Sequence, residues 1–193
     1  MAKIDAISVT LHGGEGIVIR SATPDDAAGL LAHRTHMTGT TEHGVTQPDE
    51  IDTDSRKLES TLRDAAERPY ELILLAMTDD GSKVIGELDF RSFNRRVLAH
   101  HGQFGISVDQ AWRGKGIGTA LIRVMLDWAR THPTLEKVTL GAFATNHRAI
   151  RLYERMGFKL EGRREKFFKV GPGKYVDDVQ MSIWVKQPGA SDE

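Results

Sequence analysis

Apolar residues recur at changing intervals along the chain, and each interval predicts an element. Residues 4–11 read as a short strand, His12-Gly-Gly-Glu-Gly16 as a turn, and Ile17–Arg20 as a second strand. Thr23-Pro-Asp-Asp26 is a helix start: a threonine cap, proline at the first position and an acid three residues after the cap. That helix carries Ala27, Leu30 and Leu31 and fades near Gly39. Residues 38–52 are polar and turn-rich. A second helix follows Asp54, with Leu58, Leu62 and Ala65 on one face, and stops before Pro69.

Strand-like runs then dominate. Glu71–Met77 is apolar, Asp79-Asp-Gly81 is a tight turn, and Lys83–Phe90 follows it. A basic loop at Asn94-Arg-Arg96 leads to a long strand expected over Leu98–Val108. A helix opens at about Gly116, with Ile117, Ala120, Leu121, Val124, Met125, Trp128 and Ala129 at helical spacing. Strand-like Lys137–Phe143 and a second short helix follow. The last two strands run over Lys159–Val170 and Lys174–Val185, joined by Gly171-Pro-Gly173. Val179, Met181, Ile183 and Val185 alternate as in a strand buried on one face. The order βααβββαβαββ is mixed α/β, with no sign of a second domain.

Composition narrows the class. A chain of 193 residues, 39% hydrophobic and 27% charged, is that of a globular protein able to bury a core. A net charge of -1 gives no support to bulk nucleic-acid binding or membrane adhesion. The absence of cysteine excludes disulfide scaffolds, thiolate metal sites and acyl-cysteine intermediates, and it fits a reducing cytoplasm. No leader-like segment and no apolar run of membrane-spanning length is visible.

The segment with the most chemistry is Ile106-Ser-Val-Asp-Gln-Ala-Trp-Arg-Gly-Lys-Gly-Ile-Gly-Thr119. A strand feeding a glycine-rich turn at a helix start makes an anion site. Glycine lets backbone approach the ligand, and the free N–H groups of the first helical turn face it. Arg113 and Lys115 add cationic donors, so a phosphate or pyrophosphate is expected. The turn is neither a P-loop nor a dinucleotide fingerprint: Gly114, Gly116 and Gly118 are spaced two apart, and Thr119 stands where a last glycine belongs.

Arg113-x-x-Gly116-x-Gly118 resembles the pyrophosphate-binding signature of the GNAT N-acetyltransferase family. About thirty residues on, Asn146-His-Arg-Ala-Ile-Arg-Leu-Tyr-Glu-Arg-Met-Gly-Phe158 is similar to a second element of that family, in the right order. Gly173-Lys-Tyr-Val-Asp-Asp-Val-Gln-Met181 looks like the last strand of its amino-acid, polyamine and ribosomal-protein branches. The resemblance covers about Ile17 to Lys186 and is most specific from Phe104 to Phe158. It implies one acyl-CoA N-acyltransferase domain over 17–186, a central mixed β-sheet flanked by helices. Residues 1–16 form an N-terminal extension and 187–193 a flexible tail.

The resemblance also implies a set of site residues. Acetyl-CoA would lie on Ile106, Ser107, Val108, Arg113, Gly114, Lys115, Gly116, Ile117, Gly118, Thr119 and Asn146, with no metal. Ile106–Val108 would line a gap between splayed parallel strands and meet the pantetheine amides. Tyr153 would protonate the departing thiolate, against the plainer reading of a core aromatic at helical spacing. A backbone N–H near Val108 would face the developing oxyanion. The acceptor is a small-molecule primary amine, of amino-acid or polyamine type. A protein N-terminus, or a non-catalytic acyl-CoA sensing role, is the alternative. The family also allows a homodimer.

The general base is less legible. Glu87, in Gly86-Glu-Leu-Asp-Phe90, could face the acceptor. His100 and His101 are further candidates, which strand alternation would send to opposite faces. Water relays are the plain alternative. His33, His36 and His43 have no Glu completing a metal motif and read as surface or rim residues. Glu42, Asp49, Glu50, Asp52 and Asp54 read as a solvated loop before they read as an amine-attracting wall. Arg163-Arg-Glu-Lys166 reads as an exposed strand or turn.

Overall fold

The computed structural model describes residues 3–187, so most of the tail expected over 187–193 lies outside the described residues. The elements are β1 (Ile7–Thr10), β2 (Gly16–Ser21), α1 (Ala27–Thr40), α2 (Ser55–Glu67), β3 (Glu71–Thr78), β4 (Val84–Ser92), β5 (His101–Val108), α3 (Ile117–Thr131), β6 (Lys137–Phe143), α4 (His147–Arg155), β7 (Lys159–Gly171) and β8 (Lys174–Trp184). Hydrogen-bonded neighbours follow the order β1-β2-β3-β4-β5-β6-β8-β7, an eight-stranded mixed sheet. By contacts the chain divides into two compact units, residues 1–91 with 105–128, and 92–104 with 129–193.

In the first unit, β1, β2, β3 and β4 pair antiparallel in turn. β1 is the short strand expected within residues 4–11, and it lies in the segment expected as an extension. The start of α1 is built as the sequence predicts. The Thr23 N–H donates to Asp26 at 2.7 Å, and both oxygens of Asp26 accept from Arg20 at 2.7 Å. Proline opens a single 3-10 turn there before the α-helix proper.

Alternation along β3 and β4 sorts their two faces. Leu75 lies across from Glu87 and Ile73 across from Asp89. Leu75 and Met77 pack with Leu30 of α1 and Leu62 of α2, and Ile73 rests against that cluster. Burying each such side chain contributes about 1.5–3 kcal/mol. On the opposite face Gly86 admits α3: an added Cβ would lie 3.2 Å from Ile117 and 3.3 Å from Leu121. Phe90 meets Trp128 edge-on at 5.1 Å.

In the second unit β6 pairs antiparallel with β8, and β8 with β7. β5 pairs parallel with β6 from His101↔Lys137 to Gln103↔Thr139. Phe104, Tyr153 and Phe158 form one aromatic cluster, with centroids 5.8–6.0 Å apart. β5 starts three residues later than the apolar pattern suggests. Leu98 N–H donates to Arg95 O at 2.8 Å and His101 N–H to Leu98 O at 3.1 Å, so residues 95–100 turn instead of extending.

Candidate active site

The glycine turn has the form an anion site requires. Gly114 and Gly116 sit at φ 90° and 106°, where a side chain is strained. Ala120 N–H reaches back to Gly116 O at 3.0 Å. The N–H groups of Ile117, Gly118 and Thr119 therefore fall in the first helical turn, which has no intrahelical acceptors. Arg113 Nε donates to Val108 O at 3.1 Å and ties the turn to the end of β5. Asp109, buried, accepts from Ala111 N–H at 3.0 Å and from Lys83 Nζ at 2.7 Å.

Lys115 is engaged. Its ammonium is paired with Glu15 and lies 4.7 Å from the Trp112 ring centroid. His12 N–H also donates to Lys115 O at 3.3 Å. The turn between β1 and β2 thus packs on the glycine turn, and the Lys115 hydrogen bond lowers the Glu15 carboxyl below its ordinary range.

A polar strip occupies the α1 face of β4 and β5. Glu87 is buried, and the Arg34 guanidinium clasps both its oxygens, with Nε at 3.2 and 3.1 Å. His33, one residue earlier on α1, is buried with Nε2 2.8 Å from Ser107 Oγ. Burial drives the His33 imidazole down to about 4, so it is neutral at physiological pH. Asp89 is exposed and lies over Gly105, where an added Cβ would meet its Oδ1 at 2.8 Å. Surrounding protein nevertheless raises the Asp89 carboxyl, with the Glu87 charge adding to the shift. The carboxylate stands against the Gly105 position of β5. Ile106, Ser107 and Val108 are half-buried beside it.

The second unit holds the other predicted residues. Asn146 caps α4, its side chain accepting from Ala149 N–H at 3.1 Å, and Gly157 ends that helix at φ 94°. Tyr153 is buried, and burial pushes its phenol up to about 12. His100 and His101 do not part to opposite faces: their rings meet edge-on at 4.8 Å, because His100 stands in the turn before β5. His101 also meets Phe93 at 4.8 Å.

Other candidates resolve into local structure. Glu50 accepts from Gln47 N–H at 2.8 Å, Asp54 from Arg56 N–H at 3.0 Å, and Asp52 pairs with Lys57 at 2.7 Å. Arg163 pairs with Asp177 at 2.7 Å, and Arg164 clasps Asp178. His36 is exposed while His33 is buried, so the two do not share a site. Among the described residues no group of three His, Asp or Glu is placed to hold a metal ion. No helix among them is long and apolar enough to cross a membrane. Residues absent from the sequence expectations are Arg34, Asp89, Gly105 and Glu15. Asp89 alone had a readable signal, its two-residue spacing from Glu87 on one strand face.

Known proteins place this arrangement. Residues 40–158, more than half of the chain, match the Acetyltransferase (GNAT) family. The chain belongs to that family and is an acetyltransferase. Over 117 residues it is 32% identical to the L-amino acid N-acetyltransferase AaaT of Escherichia coli (strain K12), across 61% of this chain and 70% of that protein. Over 122 residues it is 30% identical to the spermidine N(1)-acetyltransferase of Vibrio cholerae serotype O1, across 63% of this chain and 66% of that protein. The structure of yncA from Salmonella typhimurium, solved with its cofactor acetyl-CoA, shares the fold with a TM-score of 0.77 at 22% identity. That match covers 91% of this chain and 98% of that one.

Proposed function

We propose that the chain transfers the acetyl group of acetyl-CoA to the primary amine of a small molecule, of amino-acid or polyamine type, by direct attack in a ternary complex. The observation that carries this reading is the turn at Arg113–Thr119, two glycines at positive φ opening the N-terminus of α3. It fits a pyrophosphate, because glycine at 114 and 116 lets backbone approach the ligand at the start of α3, beside the His12 ring, which lies 3.5 Å from where a Gly116 Cβ would stand. When bound, acetyl-CoA supplies an activated thioester.

The chain's own residues do the rest. Arg113, Gly114, Gly116 and the first turn of α3 hold phosphate, and Lys115 adds positive charge from its place beside Glu15. β5 runs past its parallel ladder, which ends at Gln103, to Val108, and Ile106, Ser107 and Val108 offer backbone groups to the pantetheine amides. Asn146 supports the donor from the start of α4. Tyr153, whose phenol stays protonated to about 12, gives its proton to the leaving thiolate. Residues 17–186 form the catalytic domain, and the preceding segment steadies the glycine turn through Glu15.

The amino-acid and polyamine acceptors are supported by what the two relatives are named for. Coenzyme A thiol release across L-amino acids, polyamines and N-terminal peptides tests the reading. Turnover with a small amine is expected. Turnover with peptides alone, or with nothing while acetyl-CoA still binds, would overturn it.

A further inference from the structure

We propose that Asp89 is the general base, its carboxylate seated over Gly105 receiving the proton of the acceptor's ammonium. The inference rests on the reading above, in which the pyrophosphate sits on the glycine turn and the pantetheine runs back along Val108, Ser107 and Ile106. That direction would bring the thioester toward Gly105, midway along β5, where Asp89 lies.

Geometry singles Asp89 out. It projects from the same face of β4 as Glu87, two residues away. Glu87 is buried and clasped by Arg34, so its oxygens are already engaged. His33 is buried against Ser107. Asp89 is exposed, and no cation lies within ion-pair distance of it among the described residues. Gly105 leaves room for that carboxylate: a Cβ there would stand 2.8 Å from Oδ1 and 3.6 Å from Cγ, so the carboxylate would have to shift.

The surrounding charges suit the role. Desolvation by the surrounding protein raises the Asp89 carboxyl and Glu87 on the same strand adds to it, while Arg34 of α1 and Arg91 further along β4 oppose that shift. A carboxylate raised toward neutrality is a better base than an ordinary aspartate. Arg34 pairs with Glu87 and Arg91 with Glu71, which leaves Asp89 as an unpaired negative charge beside them. It therefore selects acceptors that arrive as cationic primary amines.

In the transfer step one ammonium proton moves to an Asp89 oxygen. The freed nitrogen lone pair attacks the thioester carbonyl carbon, the N–C bond forms and the C–S bond breaks. A second nitrogen proton accompanies the departing thiolate, which leaves as the thiol by way of Tyr153. Asp89 then returns its proton to water. Ammonium and thioester thus give amide, thiol and one released proton.

The test uses the full chain and whichever amine of the acceptor panel it acetylates fastest. Asp89→Asn should lower kcat/KM for that amine by about a hundredfold or more at pH 7. The deficit should shrink as pH approaches the amine's own pKa. Acetyl-CoA affinity by calorimetry should stay unchanged. Gly105→Ala should cause a comparable loss in the wild-type chain and little further loss on an Asp89→Ala background. Carbon-13 NMR of the Asp89 carboxyl should show a midpoint above the ordinary aspartate value. A wild-type pH profile in Asp89→Asn, or additive losses for Gly105→Ala and Asp89→Ala, would overturn the role while leaving the cofactor reading intact. Failure of the wild-type chain to bind acetyl-CoA would instead remove that reading, and this one with it.

Discussion

His33 and Ser107, 74 residues apart in sequence, meet at 2.8 Å between Nε2 and Oγ. The contact fixes the Ser107 hydroxyl with a histidine that burial holds neutral. Folded, His33 takes up its proton near 4; unfolded, near 6.5. Between those values the unfolded chain holds more protons, so this part of the stability is complete above 6.5 and lost as pH falls to about 4. The loss is on the order of 2–3 kcal/mol. Urea unfolding of wild type and His33→Gln at pH 7.5 and 4.5 should show a smaller acid loss in the variant. Equal losses would mean His33 is not the titrating group.

The glycine turn makes two opposite predictions about acetyl-CoA affinity. Gly116→Glu puts a side chain at φ 106° and a negative charge toward the phosphates. Backbone strain of about 1–3 kcal/mol adds to the repulsion, and Kd should rise by about a hundredfold or more. Glu15→Gln, in contrast, removes the anion paired with Lys115. Kd should then fall by roughly threefold at low salt and by less at high salt, because an exposed ion pair is weak and screened. Calorimetry on both folded variants reads the two effects.

Tyr153→Phe keeps the ring against Phe104 and Phe158 and removes only the hydroxyl. Turnover should drop by about a hundredfold or more, with little change in acetyl-CoA affinity. Since the phenol stays protonated up to about 12, the wild-type rate should show no alkaline decline from its ionisation below that point. Near-normal turnover in Tyr153→Phe would leave the tyrosine a packing residue.

A chain without cysteine that transfers acetyl directly should give intersecting initial-rate lines for donor and acceptor. In Asp89→Asn, acceptor kcat/KM should rise from pH 6 into the alkaline range, because an ammonium has no lone pair with which to attack and the variant has no carboxylate to take its proton. Parallel lines with an acetylated chain by intact mass spectrometry would refute the direct route.

Period and punctuation made most of the elements readable. The threonine cap and proline at Thr23-Pro24, the Asp54 cap and the glycine end of α4 act within a few residues, so local sequence decides them. The start of β5 was not readable, because Leu98 and Ala99 are apolar yet turn under the Leu98-to-Arg95 hydrogen bond. The site split along the same line. Its glycine turn and the Asn146 cap are local. The Glu87–Arg34 pair spans 53 residues and Lys115–Glu15 spans 100. Only folding brings those charges together, so the sequence left Glu87 a free base and Lys115 a free phosphate donor.

The outermost strand carries a consequence of a different kind. β7 stands at the end of the strand order and is 13 residues long, a ready template for another chain to pair with. Its register with β8 shifts at three places, and Lys166 sits at φ 53°. Arg163 and Arg164 lock onto Asp177 and Asp178 of its neighbour. An incoming strand would have to follow a kinked edge and dehydrate these ion pairs. That edge is thereby a poor template for an added strand, which guards the sheet against edge-to-edge association on this side.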